Sequence, residues 1–149
     1  MDRIRIARVR PGALIPTRKH PADAGLDLFA AATLSLPPHS VGIIPTGVSV
    51  EIPAGYVGLV KPKGRNDHLL GAGVVDAGYQ GEILVKVVNP FARPLQIAAG
   101  DAIAQLVILP VVTPAVEEVS PDEIHTRPSS RGATGGIVTQ WEGTSQHEP

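Results

Sequence analysis

Few side chains in this 149-residue chain could do chemistry, and the carboxylates come first. Asp27 stands in Ala24-Gly25-Leu26-Asp27-Leu28, with apolar neighbours on both sides. A charge in that setting is either paired in the core or held for a ligand, because an unpaired buried carboxylate is costly. Asp76 follows Gly73-Val74-Val75 and precedes Ala77-Gly78-Tyr79-Gln80-Gly81-Glu82. A carboxylate at the end of an apolar run, just before a glycine-containing turn, suits a hairpin-borne general base. The same position suits an aspartate that merely caps the turn through its own backbone.

Lys61, Lys63 and Arg65 form a compact basic cluster around Pro62 and Gly64. Crowded like charges cost stability unless an anion is bound, so a polyphosphate site is one reading and three solvated cations the other. His20, His39, His68, His125 and His147 are scattered without the helix-spaced pattern of a zinc site, and only His68 lies near these candidates. The chain has no cysteine, which excludes disulfides, thiolate catalysis and cysteine-ligated metal centres.

Thirteen basic residues against 14 acidic ones leave a formal net charge of -1, with no global excess to hold a nucleic acid polymer through its phosphates. Met1-Asp2-Arg3-Ile4-Arg5-Ile6 alternates charged and apolar residues, unlike a secretory leader. No apolar run approaches the roughly 18–20 residues of a membrane span. A soluble cytoplasmic protein is therefore expected.

Glycine (16) and proline (15) make up about a fifth of the chain and leave no room for long helices. Hydrophobic residues reach 43%, enough for a core, although aromatics are only 3%. The longest stretch free of both breakers is eleven residues, from Leu26 to Leu36, and it opens in alternation. Val48, Val50 and Ile52 alternate with Ser49 and Glu51, a half-buried strand. Residues 56–60, 83–88 and 103–109 read as further strands, with turns expected at 11–12, 37–38, 53–55 and 98–101. Many short strands at near-regular spacing predict one all-β domain, a sandwich or barrel such as a jelly roll, with at most one short helix at residues 65–70. The composition shifts after Pro114, so residues 1–114 are expected to form the core and 115–149 a C-terminal arm. That glycine-rich arm is either a mobile terminus or a segment whose backbone folds over a phosphate.

Read in order, these fragments resemble the trimeric dUTPase family over nearly the whole chain. The resemblance is carried by Ala24-Gly25-Leu26-Asp27-Leu28-Phe29-Ala30-Ala31, by Thr46-Gly47 through Ile52-Pro53, and by Gly73-Val74-Val75-Asp76-Ala77-Gly78-Tyr79-Gln80-Gly81-Glu82-Ile83. Gly100-Asp101-Ala102-Ile103-Ala104-Gln105-Leu106 and Arg131-Gly132-Ala133-Thr134-Gly135-Gly136-Ile137 continue it. The resemblance implies a distorted β jelly-roll homotrimer with active sites at subunit interfaces, hydrolysing dUTP to dUMP and pyrophosphate with Mg²⁺ on the triphosphate. It implies that Asp76 deprotonates the attacking water, that Tyr79 packs under deoxyribose and excludes a 2′-hydroxyl, and that Asp27 holds waters of the Mg²⁺ shell. It places Gln105 at the α-phosphate, the hairpin from Gly73 to Tyr79 on uracil, and Arg131 at the γ-phosphate from a neighbouring subunit's arm, with Gly135 and Gly136 also binding substrate.

Two motifs depart from the family. Its second normally reads Pro-Arg-Ser-Gly, whereas this chain has Pro62-Lys63-Gly64-Arg65-Asn66-Asp67, so Gly64 lacks the serine hydroxyl. Lys63 or Arg65 then replaces the arginine, and Asn66 the hydroxyl. In the fifth motif Ile137 stands for the phenylalanine that stacks on uracil, with Trp141 an alternative cover for the base. Two other functions compete. The related dCTP deaminases carry a catalytic glutamate where Lys86 stands here, and an ammonium cannot serve as that base. A non-catalytic nucleotide-binding trimer is the other alternative.

Overall fold

A computed structural model describes residues 3–70, 73–125 and 127, with Leu69 and Leu70 described through their backbone. The chain divides into two units, Met1–Thr113 and Pro114–Pro149. Among the described residues eleven strands lie in the first: β1 (Arg5–Arg8), β2 (Gly25–Phe29), β3 (Leu34–Leu36), β4 (Val41–Pro45), β5 (Val48–Glu51), β6 (Tyr56–Lys61), β7 (Leu69–Leu70), β8 (Gly73–Val75), β9 (Leu84–Val88), β10 (Leu95–Ile97) and β11 (Ala102–Pro110). Among the described residues there is no helix, and so none long and apolar enough to cross a membrane.

Period-two alternation turns one face of these strands inward. Val48 and Val50 of β5 are buried while Glu51 is exposed, and in β9 Val85 and Val87 point in while Leu84 and Lys86 point out. These valines join Leu26, Leu28, Ile44, Ile52, Ile103 and Leu106 in one aliphatic core. Each such side chain contributes about 1.5–3 kcal/mol on leaving water, which is how a domain poor in aromatics sustains a core. Among the described residues all the pairing is antiparallel, in sheets ordered β2-β11-β6-β8, β4-β9-β7, β1-β5 and β10-β3. Two of the expected turns close on their own hydrogen bonds, Tyr56 N–H to the Pro53 carbonyl at 3.1 Å and Asp101 N–H to that of Ala98 at 3.0 Å.

At residues 65–70, where the sequence allows at most a short helix, the chain forms a turn and a short strand. Asn66 N–H donates to the Lys63 carbonyl (3.1 Å), making a turn, and the Asn66 amide donates to the carbonyls of Ala102 and Ile103 (3.0 and 3.3 Å). The buried His68 ring sits 3.1 Å from the same Ile103 carbonyl, and Leu69 and Leu70 then pair with Val88 and Val87 as β7. Anchoring to β11 and β9 outweighs the weak helical preference of so short a segment.

Candidate active site

The four-stranded sheet lines up three polar side chains. Asp27 of β2 opposes Gln105 of β11, and Gln105 opposes Lys61 of β6, so all three project from one face. Asp27 and Gln105 are half-buried, and Lys61 is exposed. The next residue, Pro62, has no N–H for the ladder, and the chain leaves the sheet there. The Gln105 amide donates to the Pro62 carbonyl at 2.9 Å and pins this exit. The turn that follows carries the Lys63 ammonium onto Oδ1 of Asp27. Asp27 is thus paired with Lys63 across the sheet. Oδ2 of Asp27 makes no hydrogen bond among the described residues.

Gly25 belongs to this arrangement through what it lacks. A Cβ there would lie 3.1 Å from both Cβ and Cδ of Gln105 and would overlap its Oε1, so the Gln105 side chain occupies the space above Gly25. Gly64 and Arg65 are exposed on the turn, Gly64 with open space where a Cβ would project. Arg65 borders a cavity of about 520 Å³ together with Asn66, His68, Arg93 and Asp101. The Asn66 amide is committed to the carbonyls of β11.

A second cluster forms around Asp76. Val75 of β8 is in the core, and the next residue is exposed as the chain turns, Tyr79 N–H donating to the Asp76 carbonyl at 3.0 Å. The Asp76 carboxylate makes no hydrogen bond or ion pair among the described residues. Tyr79, 44% exposed, folds back so that its hydroxyl donates to the Glu82 carbonyl at 2.7 Å. Beneath it and along β8 runs a cleft of about 220 Å³ lined by Val60, Gly73, Val74, Val75, Ile83 and Leu84. Gly73 is half-buried, its missing Cβ leaving room for Val60.

The loop after this turn is tied to the Thr46-Gly47 segment. Thr46, almost fully buried, donates its hydroxyl to the Ile83 carbonyl at 2.6 Å, and Ile83 N–H donates to the Val48 carbonyl at 2.9 Å. Ser49 donates to the Gln80 carbonyl at 3.1 Å. The Glu82 carboxylate accepts from Arg10 Nε at 2.8 and 2.9 Å and from Gly47 N–H at 2.8 Å. The Arg10 N–H bonds hold the Glu82 carboxyl below its usual range against the opposing effect of burial, with Gly47 N–H assisting; Glu82 in turn raises Arg10. Sequence reasoning assigned no role to Glu82, although an acid between Gly81 and a buried Ile83 was the available signal.

These two clusters stand apart. Gly73 opposes Val60, next to Lys61, whereas Val75 opposes Gly58, so Asp76 leaves the sheet toward the far end of β6 from Lys61. With strands about 4.8 Å apart and a rise of about 3.3 Å per residue, Asp27 and Asp76 lie roughly 20 Å from each other. One chain therefore gathers Asp27, Lys63 and Gln105 in one place and Gly73, Asp76 and Tyr79 in another. Arg131, Gly135, Gly136, Ile137 and Trp141 lie outside the described residues. Among the described residues no three His, Asp or Glu side chains converge to ligate a metal. So sparse a donor set fits an ion carried mainly by a ligand's own oxygens and water.

Antiparallel short strands closed around one aliphatic core, bearing a carboxylate turn and a separate acid–lysine–amide group, define a jelly-roll protein equipped for an anionic ligand. Comparison makes this specific: residues 12–136 match the dUTPase family model, and the chain belongs to the dUTPase family. A deoxyuridine 5′-triphosphate nucleotidohydrolase of Gloeobacter violaceus is 41% identical over 147 residues, covering 92% of this chain and 97% of that protein. One from Mycobacterium marinum is 40% identical, covering 87% and 90%. Among solved structures, the Staphylococcus bacteriophage 80alpha dUTPase with dUpNHpp superposes with a TM-score of 0.81 at 29% identity, covering 91% of this chain and 96% of that one. A mutant dUTPase from phage phi11 of S. aureus, described with a structural Mg(II) ion, gives 0.75 at 29% identity, covering 83% and 99%.

Proposed function

We propose that this chain hydrolyses dUTP to dUMP and pyrophosphate at sites assembled between copies of itself in a homotrimer. The observation that carries the assembly is the separation of Asp76 from Asp27, Lys63 and Gln105. A base at one end of the sheet and phosphate ligands at the other cannot meet on one α-phosphate within a chain. They can meet when the turn of one copy faces the sheet end of the next. The assignment to dUTP rests on family membership and on relatives named for that activity.

In this reading the cleft along β8 takes uracil. β8 is the outer strand of its sheet among the described residues, so its free backbone edge can pair with the base. The Tyr79 ring packs under deoxyribose. Asp76, exposed and without a protein partner among the described residues, accepts a proton from water as its oxygen attacks the α-phosphorus. The new O–P bond forms in line as the bond to the bridging oxygen breaks, and pyrophosphate leaves. Gln105 and the turn at Lys63, Gly64, Arg65 and Asn66 orient the phosphates, and Arg131 with Gly135 and Gly136 covers their outer end. Ile137 covers the base. Asp27 would hold waters of a magnesium ion carried on the triphosphate, an ion that would supply charge neutralisation of the leaving group.

The test is incubation with dUTP, dCTP and UTP in the presence of Mg²⁺, with pyrophosphate and ammonia measured and the assembly sized by sedimentation. Pyrophosphate from dUTP alone and a trimer are expected. Ammonia from dCTP, or tight dUTP binding without product, would overturn the reading.

A further inference from the structure

We infer that Arg10 and Glu82 form a clamp that positions the Tyr79 ring and thereby sets how strongly the site prefers deoxyribonucleotides over ribonucleotides. The inference rests on the reading in which Tyr79 packs against the sugar. It adds two residues that the proposed reading does not place on sugar, base or phosphate.

Tyr79 is held from two sides by the backbone of its own loop. Its hydroxyl donates to the Glu82 carbonyl at 2.7 Å, and its ring lies so close over Gly81 that a Cβ there would sit 2.5 Å from the hydroxyl oxygen and 2.8 Å from Cζ. The ring therefore goes where residues 81 and 82 go. A turn that close to solvent has little packing of its own, since residues 76–80 are all exposed. Besides the Ser49 bond to the Gln80 carbonyl and the Thr46 and Val48 bonds to Ile83, it is held by the Glu82 side chain, which turns inward to 16% exposure and spends its oxygens on Arg10 Nε and Gly47 N–H. Gly47 is rigidly placed, at φ +70° with Ala13 where a Cβ would stand, and it accepts Val9 N–H at 2.8 Å. Glu82 thus ties the sugar-facing ring to the N-terminal segment, 72 positions earlier in the chain.

A ribonucleotide adds one hydroxyl, and a site that rejects it by steric contact works only if the contacting ring cannot yield. Releasing the Glu82 carboxylate lets the backbone beneath Tyr79 relax, and a 2′-hydroxyl is then admitted at small cost. Arg10, with its side chain 52% exposed, is the remote end of the clamp and the cleaner probe.

The experiment measures kcat/KM for dUTP and for UTP, with Mg²⁺, in the full-length chain and in Arg10→Ala, Glu82→Gln, Tyr79→Ala and Arg10→Ala/Tyr79→Ala. Arg10→Ala and Glu82→Gln are each expected to lower the dUTP:UTP ratio about tenfold, chiefly through a gain with UTP. The Arg10→Ala unfolding midpoint should stay within about 3 °C of the parent, as for an exposed ion pair. Adding Arg10→Ala to Tyr79→Ala should change the ratio no further, a coupling that a merely structural role would not produce. An unchanged ratio in Arg10→Ala, with Tyr79→Ala lowering it, overturns the clamp and leaves the sugar reading intact. If Tyr79→Ala itself leaves the ratio alone, the sugar reading falls and takes the clamp with it. Should Glu82→Gln fail to fold, Arg10→Ala decides the matter alone.

Discussion

The Lys63 ammonium rests on Oδ1 of Asp27, 36 residues earlier in the chain, with the two side chains only 19% and 18% exposed. An aspartate inside the apolar strand Gly25–Phe29 would otherwise lose its hydration without compensation. The pairing depends on Pro62 ending β6 one residue after the Gln105 register and on the turn that Asn66 N–H closes with the Lys63 carbonyl. Removing one partner strands the other. Lys63→Met is therefore expected to cost about 1–2 kcal/mol, less than for a fully buried pair. In a double-mutant cycle with Asp27→Asn the two changes should cost clearly less together than the sum of each alone. Chemical denaturation of the four proteins measures this, and strict additivity would show that the pair contributes nothing.

Asp76 presents the opposite case, a carboxylate with no protein partner among the described residues. No structural reason for its charge is evident, because its role in the turn is played by its backbone carbonyl. Asp76→Asn should leave the unfolding midpoint unchanged and nucleotide affinity within about tenfold, while kcat falls by roughly 10²–10⁴, the range for losing a general base. Single-turnover hydrolysis and equilibrium binding separate these quantities. A drop in stability or in binding alone would return Asp76 to a structural role.

The strands were legible because their signal is local. Val48, Val50 and Ile52 alternate with Ser49 and Glu51, and the three aliphatic side chains are buried in the structure. The partner of Asp27 was not legible, since whether Lys63 faces Asp27, Arg65 or solvent depends on a register across three strands. Residues 65–70 left helix and turn both open for a related reason. Their only local signal was the absence of proline and glycine, whereas Asn66 and His68 take their partners from β11. Asp76 and Tyr79 stood out by motif. Glu82 lies in the same motif but acts through Arg10 and Gly47, which no spacing rule connects to it.

Gly25 offers a way to perturb the amide without touching a charged group. A methyl at this position meets the far end of a flexible side chain first, so Gln105 can swing aside at small cost. Doing so breaks the 2.9 Å bond from its amide to the Pro62 carbonyl, worth about 1 kcal/mol. Gly25→Ala should therefore lower stability by no more than about 1–2 kcal/mol while reducing kcat/KM for dUTP more than that loss explains. Gln105→Ala should reproduce the kinetic defect. Full activity in Gly25→Ala would mean that the position of Gln105 above Gly25 is immaterial to turnover.

Acid should loosen the protein partly through Glu82, and the sign follows from its environment. Arg10 Nε and Gly47 N–H stabilise the ionised carboxylate against burial, so the folded-state pKa lies below the unfolded value of about 4.3. The unfolded chain then takes up the proton first as pH falls. The contribution is complete above the unfolded pKa and drains away as pH drops through the folded one. Unfolding midpoints taken from pH 7 down to about pH 3 should therefore fall more steeply in the parent than in Glu82→Gln, which has no proton to gain there. High salt should flatten this difference only modestly, because the Glu82 side chain is 16% exposed and Arg10 is bound to it by direct hydrogen bonds. Parallel acid profiles for the two proteins would place the titration that governs acid unfolding elsewhere in the chain.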